Sequence, residues 1–203
     1  MFLFRKISGH TRERKGSYLI LLILVCLGFI AGCFYANLIS ATEFTDAQSQ
    51  AEQFIKEAKS HELSFRLILS EEASSFLFIC FFALFLPGFI PIVFLVFKWG
   101  FSSGFFLTFL VKCFFLKGFF LGGFFLLVTL LFLLPALLFL ATQCLRVNRL
   151  FLSCVFSRSS LRQTMLDELL GLAILAMLAL SFVTLGATVK YFILPPLCNY
   201  LFL

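Results

Sequence analysis

The stretch from Lys98 to Arg149 limits this chain more than any other. It reads KWGFSSGFFLTFLVKCFFLKGFFLGGFFLLVTLLFLLPALLFLATQCLRVNR, and between Lys98 and Arg146 its only charges are Lys112 and Lys117. Gly118 to Leu145 alone supplies 28 residues without a charge. A helix needs only about 20 apolar residues to cross a hydrocarbon core of roughly 30 Å. No soluble domain accommodates such a run.

The rest of the composition agrees. Of 203 residues, 62% are hydrophobic and 13% charged, the balance of a polytopic membrane protein and not of a globular domain on one anchor. The formal net charge of +6 does not indicate nucleic acid, because the Lys and Arg residues gather at the ends of apolar runs, where they report topology. Seven cysteines have neither CxxC spacing nor companion histidines, so they suggest no zinc site and no disulfide framework. Ten of the 32 phenylalanines come in adjacent pairs such as Phe105-Phe106 and Phe119-Phe120. Adjacent residues point to different sides of a helix, so the pairs read as lipid-facing and interhelical filling.

Taken in order, residues 1–17 form a basic leader with Arg5, Lys6, Arg12, Arg14 and Lys15 against Glu13, which the positive-inside rule places in the cytoplasm. An uncharged run from Gly16 to Thr42 follows as the first crossing. Ile30-Ala31-Gly32-Cys33 resembles a lipoprotein cleavage box, which would lipidate Cys33. Apolar character continues through Phe34, Leu38 and Ile39, however, and favours an uncleaved helix. Residues 43–72 carry seven acids against Lys56, Lys59 and Arg66 and belong outside. Thr45 and Gln48 have the form of a capping box. Ala51, Phe54, Ile55, Ala58, Phe65 and Leu69 then recur at helical spacing, predicting one amphipathic helix over 45–69. Its exposed acidic side, with Glu52, Phe54, Glu57 and Phe65, is the candidate partner-binding surface; the alternative is that its apolar residues only cap the bundle.

Residues 73–97 read as the second crossing, bent or broken by Pro87-Gly88 and Pro91. The third runs from Lys98 to Lys117 with Lys112 snorkelling outward, the fourth over 118–145 with Pro135 as a kink. A cytoplasmic loop over 146–168 and a fifth crossing over 169–189 complete the path. The expected fold is therefore all-α: a polytopic transmembrane helical bundle of about five crossings, with an extracytoplasmic amphipathic helix between the first and second. It forms a single integral membrane domain over 1–203 in the cell membrane, N-terminus cytoplasmic and C-terminus extracytoplasmic. Five crossings put both basic clusters inside.

Catalytic signals are weak. Gly100-Phe101-Ser102-Ser103-Gly104 fits G-x-S-x-G, but that motif needs a strand-to-helix turn and a histidine base, and the two histidines, His10 and His61, lie in polar segments. Gly100 and Gly104 read instead as a close-approach face for another helix, with Gly118, Gly122 and Pro135 as further helix-packing positions. With the outer segment set aside, the crossings hold no Asp or Glu, so coupled ion transport is not indicated. No catalytic residue, metal site or cofactor is expected.

Lys98, the glycine-bearing helix Gly104 to Val111, Lys117-Gly118-Phe119, Leu134-Pro135-Ala136 and the closing Val189-Lys190-Tyr191-Phe192-Ile193-Leu194-Pro195 come in an order and spacing that resembles the stage II sporulation protein M family of integral membrane proteins. Two positions depart from that pattern. Val128-Thr129-Leu130 stands where the family carries Pro-Gln-Asn, and Lys190 where it carries a glutamate. The resemblance implies a non-enzymatic membrane scaffold that acts in engulfment and sporulation with stage II sporulation proteins D and P, which supply the cell-wall chemistry. The alternative is a permease-like subunit of an ATP-driven exporter, with 146–168 as the surface for its ATPase.

Overall fold

The computed structural model describes residues 15–60, 64–85, 88–157 and 162–202. Among these the architecture is entirely helical: α1 (Lys15–Leu38), α2 (Ala41–Lys59), α3 (Phe65–Ala83), α4 (Phe89–Val128), a π-helical turn (Thr129–Leu133), α5 (Leu134–Ser157) and α6 (Arg162–Leu201). Three helical stretches are long and apolar enough to cross a membrane: Gly16–Leu38, Phe89–Ser153 and Met165–Leu201. The chain is thus a helical membrane protein. α3 is not one of the three, because its first half carries Arg66, Glu71 and Glu72.

The longest apolar stretch does not run straight. At Phe115 the backbone takes φ 47°, ψ −122°, and α4 folds back on itself there. A Cβ on Gly118 would fall 1.9 Å from the Leu110 carbonyl oxygen, and one on Gly122 2.8 Å from the Leu107 side chain. Increasing residue number on one limb thus meets decreasing number on the other, which defines an antiparallel hairpin. The missing side chains at Gly118 and Gly122 let the limbs touch. This reversal replaces the expected boundary at Lys117.

The first limb of α4 runs parallel to α1, and the contact is backbone on backbone. Cβ atoms on Gly100 and Gly104 would lie 2.3 and 2.1 Å from the carbonyl oxygens of Val25 and Phe29. From the other side, Cβ atoms on Gly28 and Gly32 would lie 2.3 and 2.1 Å from those of Phe97 and Phe101. Two G-x-x-x-G faces therefore interlock. The seam extends to Cys33, whose Sγ approaches the Gly104 carbonyl at 3.5 Å, so α1 passes through Cys33 as one helix built into the fold. At its far end Lys112 Nζ donates to the Ala36 carbonyl at 2.9 Å, a cation on the last turn of α1 where the helix dipole favours it.

The expected second crossing over 73–97 is broken and not merely bent. α3 stops at Ala83, and the chain turns through Leu84 and Phe85 to Gly88, where any Cβ would collide with the carbonyl oxygens of Phe82 and Phe85. Pro87 lies outside the described residues. Asn148 of α5 is fully buried and donates to the Phe85 carbonyl at 2.7 Å and the Ala83 carbonyl at 3.4 Å, meeting backbone groups that the break leaves without helical partners. The π-helical turn sits just before Pro135. Proline lacks the N–H that the Leu131 carbonyl would receive in an α-helix, and the wider turn is the local adjustment.

The single amphipathic helix over 45–69 is also corrected. α2 ends at Lys59 and α3 begins at Phe65; the capping box belongs to Ser40 and Glu43. Ser40 is preferred because the helix begins at Ala41, leaving Thr45 inside, where its hydroxyl donates to the Thr42 carbonyl. α2 packs Ile55 and Ala58 against Leu110, Leu121, Leu194 and Cys198. Where a loop over 146–168 was expected, α5 continues to Ser157 and α6 starts at Arg162, with residues 158–161 outside the described set.

Candidate functional site

α4 has two unlike sides. Residues advance by about 100° along a helix, so Lys98 and Ser102, one turn apart, lie about 200° from Gly100 and Gly104. The glycines face α1. Lys98 and Ser102 face a cavity of ≈ 550 Å³ between α3, both limbs of α4 and α6.

Four charged side chains line this space: Glu71 and Glu72 from α3, Lys98 from α4, Lys190 from α6. Glu72 and Lys190 form an ion pair whose side chains are only 12% and 8% exposed. Lys190 Nζ also lies 5.4 Å from the centre of the Phe125 ring, an added stabilisation for a desolvated cation. The second carboxylate oxygen of Glu72 is buried without a hydrogen-bond partner among the described residues. Glu71 and Lys98 are exposed to the cavity or its mouth. Neither has an ion-pair partner among the described residues. The remaining wall is largely aromatic, with Trp99, Phe105, Phe106 and Phe125.

Position in the helices makes these charges unusual. Lys98 is nine residues into α4 and Glu72 seven into α3, so about 14 and 10 Å from the helix ends at 1.5 Å per residue. Lys190 is eleven residues from the end of α6, about 17 Å. Lys98 therefore stands within a helix, where a boundary between two crossings was expected, and Glu72 stands within α3, a helix separate from α2. Charge counting assigns such residues to surfaces because an isolated charge is costly at depth. Opposite charges 118 residues apart in sequence remove part of that cost by meeting.

The chain matches no protein-family model, no curated protein and no solved structure. What its geometry can do is thus read from its own residues.

The remaining candidates separate clearly. Gly100, Gly104, Gly118 and Gly122 all stand at close helix contacts, and Pro135 follows the π turn. Gly28 and Gly32, the other half of the seam, escaped notice although the sequence spells G-x-x-x-G there. Phe54 packs on Phe125 with ring centres 6.3 Å apart, and Phe65 on Tyr191 at 5.8 Å. Both are engaged within the chain. Glu52 is exposed and accepts from Gln48 at 3.1 Å; Glu57 is half-buried and accepts from Gln53 at 2.9 Å. Ser102 lines the cavity wall, while His10 and His61 lie outside the described residues. Among the described residues no cluster of His, Cys, Asp and Glu could hold a metal.

Proposed function

We propose that the chain crosses the membrane five times, N-terminus inside and C-terminus outside, and works as a non-enzymatic scaffold of the stage II sporulation protein M kind. In this reading it recruits cell-wall-remodelling proteins, such as stage II sporulation proteins D and P, from its outer face. The reversals at Leu84–Gly88 and Phe115 support five limbs. α1 and the first limb of α4 run outward together; α3 runs inward, as does the second limb of α4 with α5; α6 returns outward. The basic leader sets the direction.

The observation that carries the scaffold reading is how α2 is mounted. Its apolar side is clamped by Ile55, Ala58 and Phe54, and Lys59 Nζ donates to the Phe202 carbonyl at 2.8 Å. Asp46, Glu52 and Gln53 remain exposed on the opposite side. A polar face held on a fixed helix loses little freedom when a partner docks, which favours binding. Its acidity suits a basic partner and makes capture salt-sensitive, since exposed charges are screened beyond about 8–10 Å. Lys98, which belongs to the family pattern, lines one cavity with Thr129 and Lys190, the two positions where the chain departs from it.

Reversing Asp46 and Glu52 to lysine in the full chain tests the reading by co-purification from membranes. The scaffold predicts at least tenfold weaker capture of a wall-remodelling protein at unchanged abundance. Unchanged capture, or co-purification of a cytoplasmic ATPase, contradicts it; the second outcome favours the permease-like exporter subunit.

A further inference from the structure

The charges around the cavity sum to zero, but they are not all matched. Glu72 and Lys190 satisfy each other, which leaves one carboxylate on α3, Glu71, and one ammonium on α4, Lys98, without ion-pair partners among the described residues. A purely anionic ligand would answer Lys98 and be repelled by Glu71; a purely cationic one would do the reverse. A ligand bearing one charge of each sign answers both and leaves the site neutral, the condition that a low-dielectric environment favours.

We propose that this cavity binds a zwitterionic phospho-amine group, with its phosphate on Lys98 and its primary ammonium on Glu71. Ser102, one turn from Lys98 on the same side of α4, adds a hydroxyl donor for phosphate. The volume of ≈ 550 Å³ falls in the range of small-ligand sites, roughly 300–1,000 Å³, and the mixture of apolar wall and few polar groups is also typical of them. The aromatic side chains give glycerol and the first acyl carbons of a phospholipid an apolar path. The site goes beyond the scaffold reading and does not depend on it. Only its depth in the bilayer rests on the five crossings.

The chain carries one tryptophan, Trp99, and it stands in the cavity wall. Its fluorescence reports occupancy directly. The full-length protein in detergent is titrated with mixed micelles containing phosphatidylethanolamine, phosphatidylglycerol or phosphatidylcholine, and separately with soluble O-phosphoethanolamine. The proposal expects a saturable Trp99 response at least tenfold tighter for phosphatidylethanolamine than for the other two lipids. Phosphatidylglycerol lacks the cation, and the choline headgroup cannot donate hydrogen bonds. Lys98→Gln and Glu71→Gln should each weaken it at least tenfold, and Lys98→Arg should retain it. A matching response to O-phosphoethanolamine supports the site with a soluble ligand; a response to the lipid alone supports a membrane one. Equal responses to all three lipids, a preference for phosphatidylglycerol, or indifference to both charge removals overturns the proposal. The ranking of lipids on the unaltered chain decides the matter even where a variant does not fold.

Discussion

The two sides of the first α4 limb show two ways of joining helices without a hydrophobic driving force. Toward α1 the join is made of absent side chains: four glycines bring backbones so close that no Cβ fits. Toward α3 and α6 there is instead a cavity, with an ion pair between those two helices on its wall. Between apolar helices in lipid, close packing is the general means of association, and the glycine seam uses it. A cavity forfeits that packing and desolvates charges. The first side therefore looks built for stability and the second for occupancy, and substitutions should divide accordingly.

The largest effect belongs to the seam. Gly104→Leu sets a side chain against the Phe29 carbonyl, which cannot move without separating the helices. Overpacking typically costs about 1–3 kcal/mol, and a backbone clash should exceed that range, abolishing monodisperse protein in detergent. Gly123→Leu is the matched control. A Cβ there meets nothing within 4 Å, so its thermal unfolding should shift by no more than about 0.5 kcal/mol. Equal tolerance of the two would dissolve the distinction between the sides.

The ion pair comes next. Lys190→Met leaves Glu72 buried and alone, which should cost about 3–5 kcal/mol. Glu72→Gln combined with Lys190→Met removes the stranded charge and should recover most of the loss. A double variant no better than the single would show that the pair is not coupled.

The hairpin bend gives a smaller change of opposite sign. Phe115 is 80% exposed with φ 47°, and non-glycine residues held in such sparsely populated regions carry roughly 1–3 kcal/mol of strain. Phe115→Gly should raise unfolding stability by about 1 kcal/mol. A loss would mean that the ring is supported by contacts that offset the strain.

The same contrast explains what was legible in the sequence. Apolar runs, the break near Gly88 and the close-packing glycines are local signals, written in consecutive residues or at i, i+4. Helix existence and α4's half of the seam could be read from them. The partner of Gly100 and Gly104 could not, because nothing local ties residue 28 to residue 97. The cavity was hidden for a stronger reason. Topology rules treat Lys98, Glu72 and Lys190 as boundary markers, and only tertiary contact brings Glu72 and Lys190 together within their helices. The reversal at Phe115 falls on a residue type that gives no turn signal, beside Lys112 and Lys117, which read as a membrane edge. Both sit near the hairpin tip, Lys112 over the Ala36 carbonyl and Lys117 5.6 Å from the Phe202 ring centre.

The central claim is that the chain turns at Leu84 and again at Phe115, so that Lys98 lies inside a limb and not at its end. Single cysteines at Gln50, Leu84 and Leu116, in a chain whose native cysteines are replaced by alanine, test this with a membrane-impermeant maleimide on intact cells. The account predicts labelling at 50 and 116 from outside, and at 84 only after the membrane is opened. Labelling of 84 from outside, or of 116 only after opening, would contradict it.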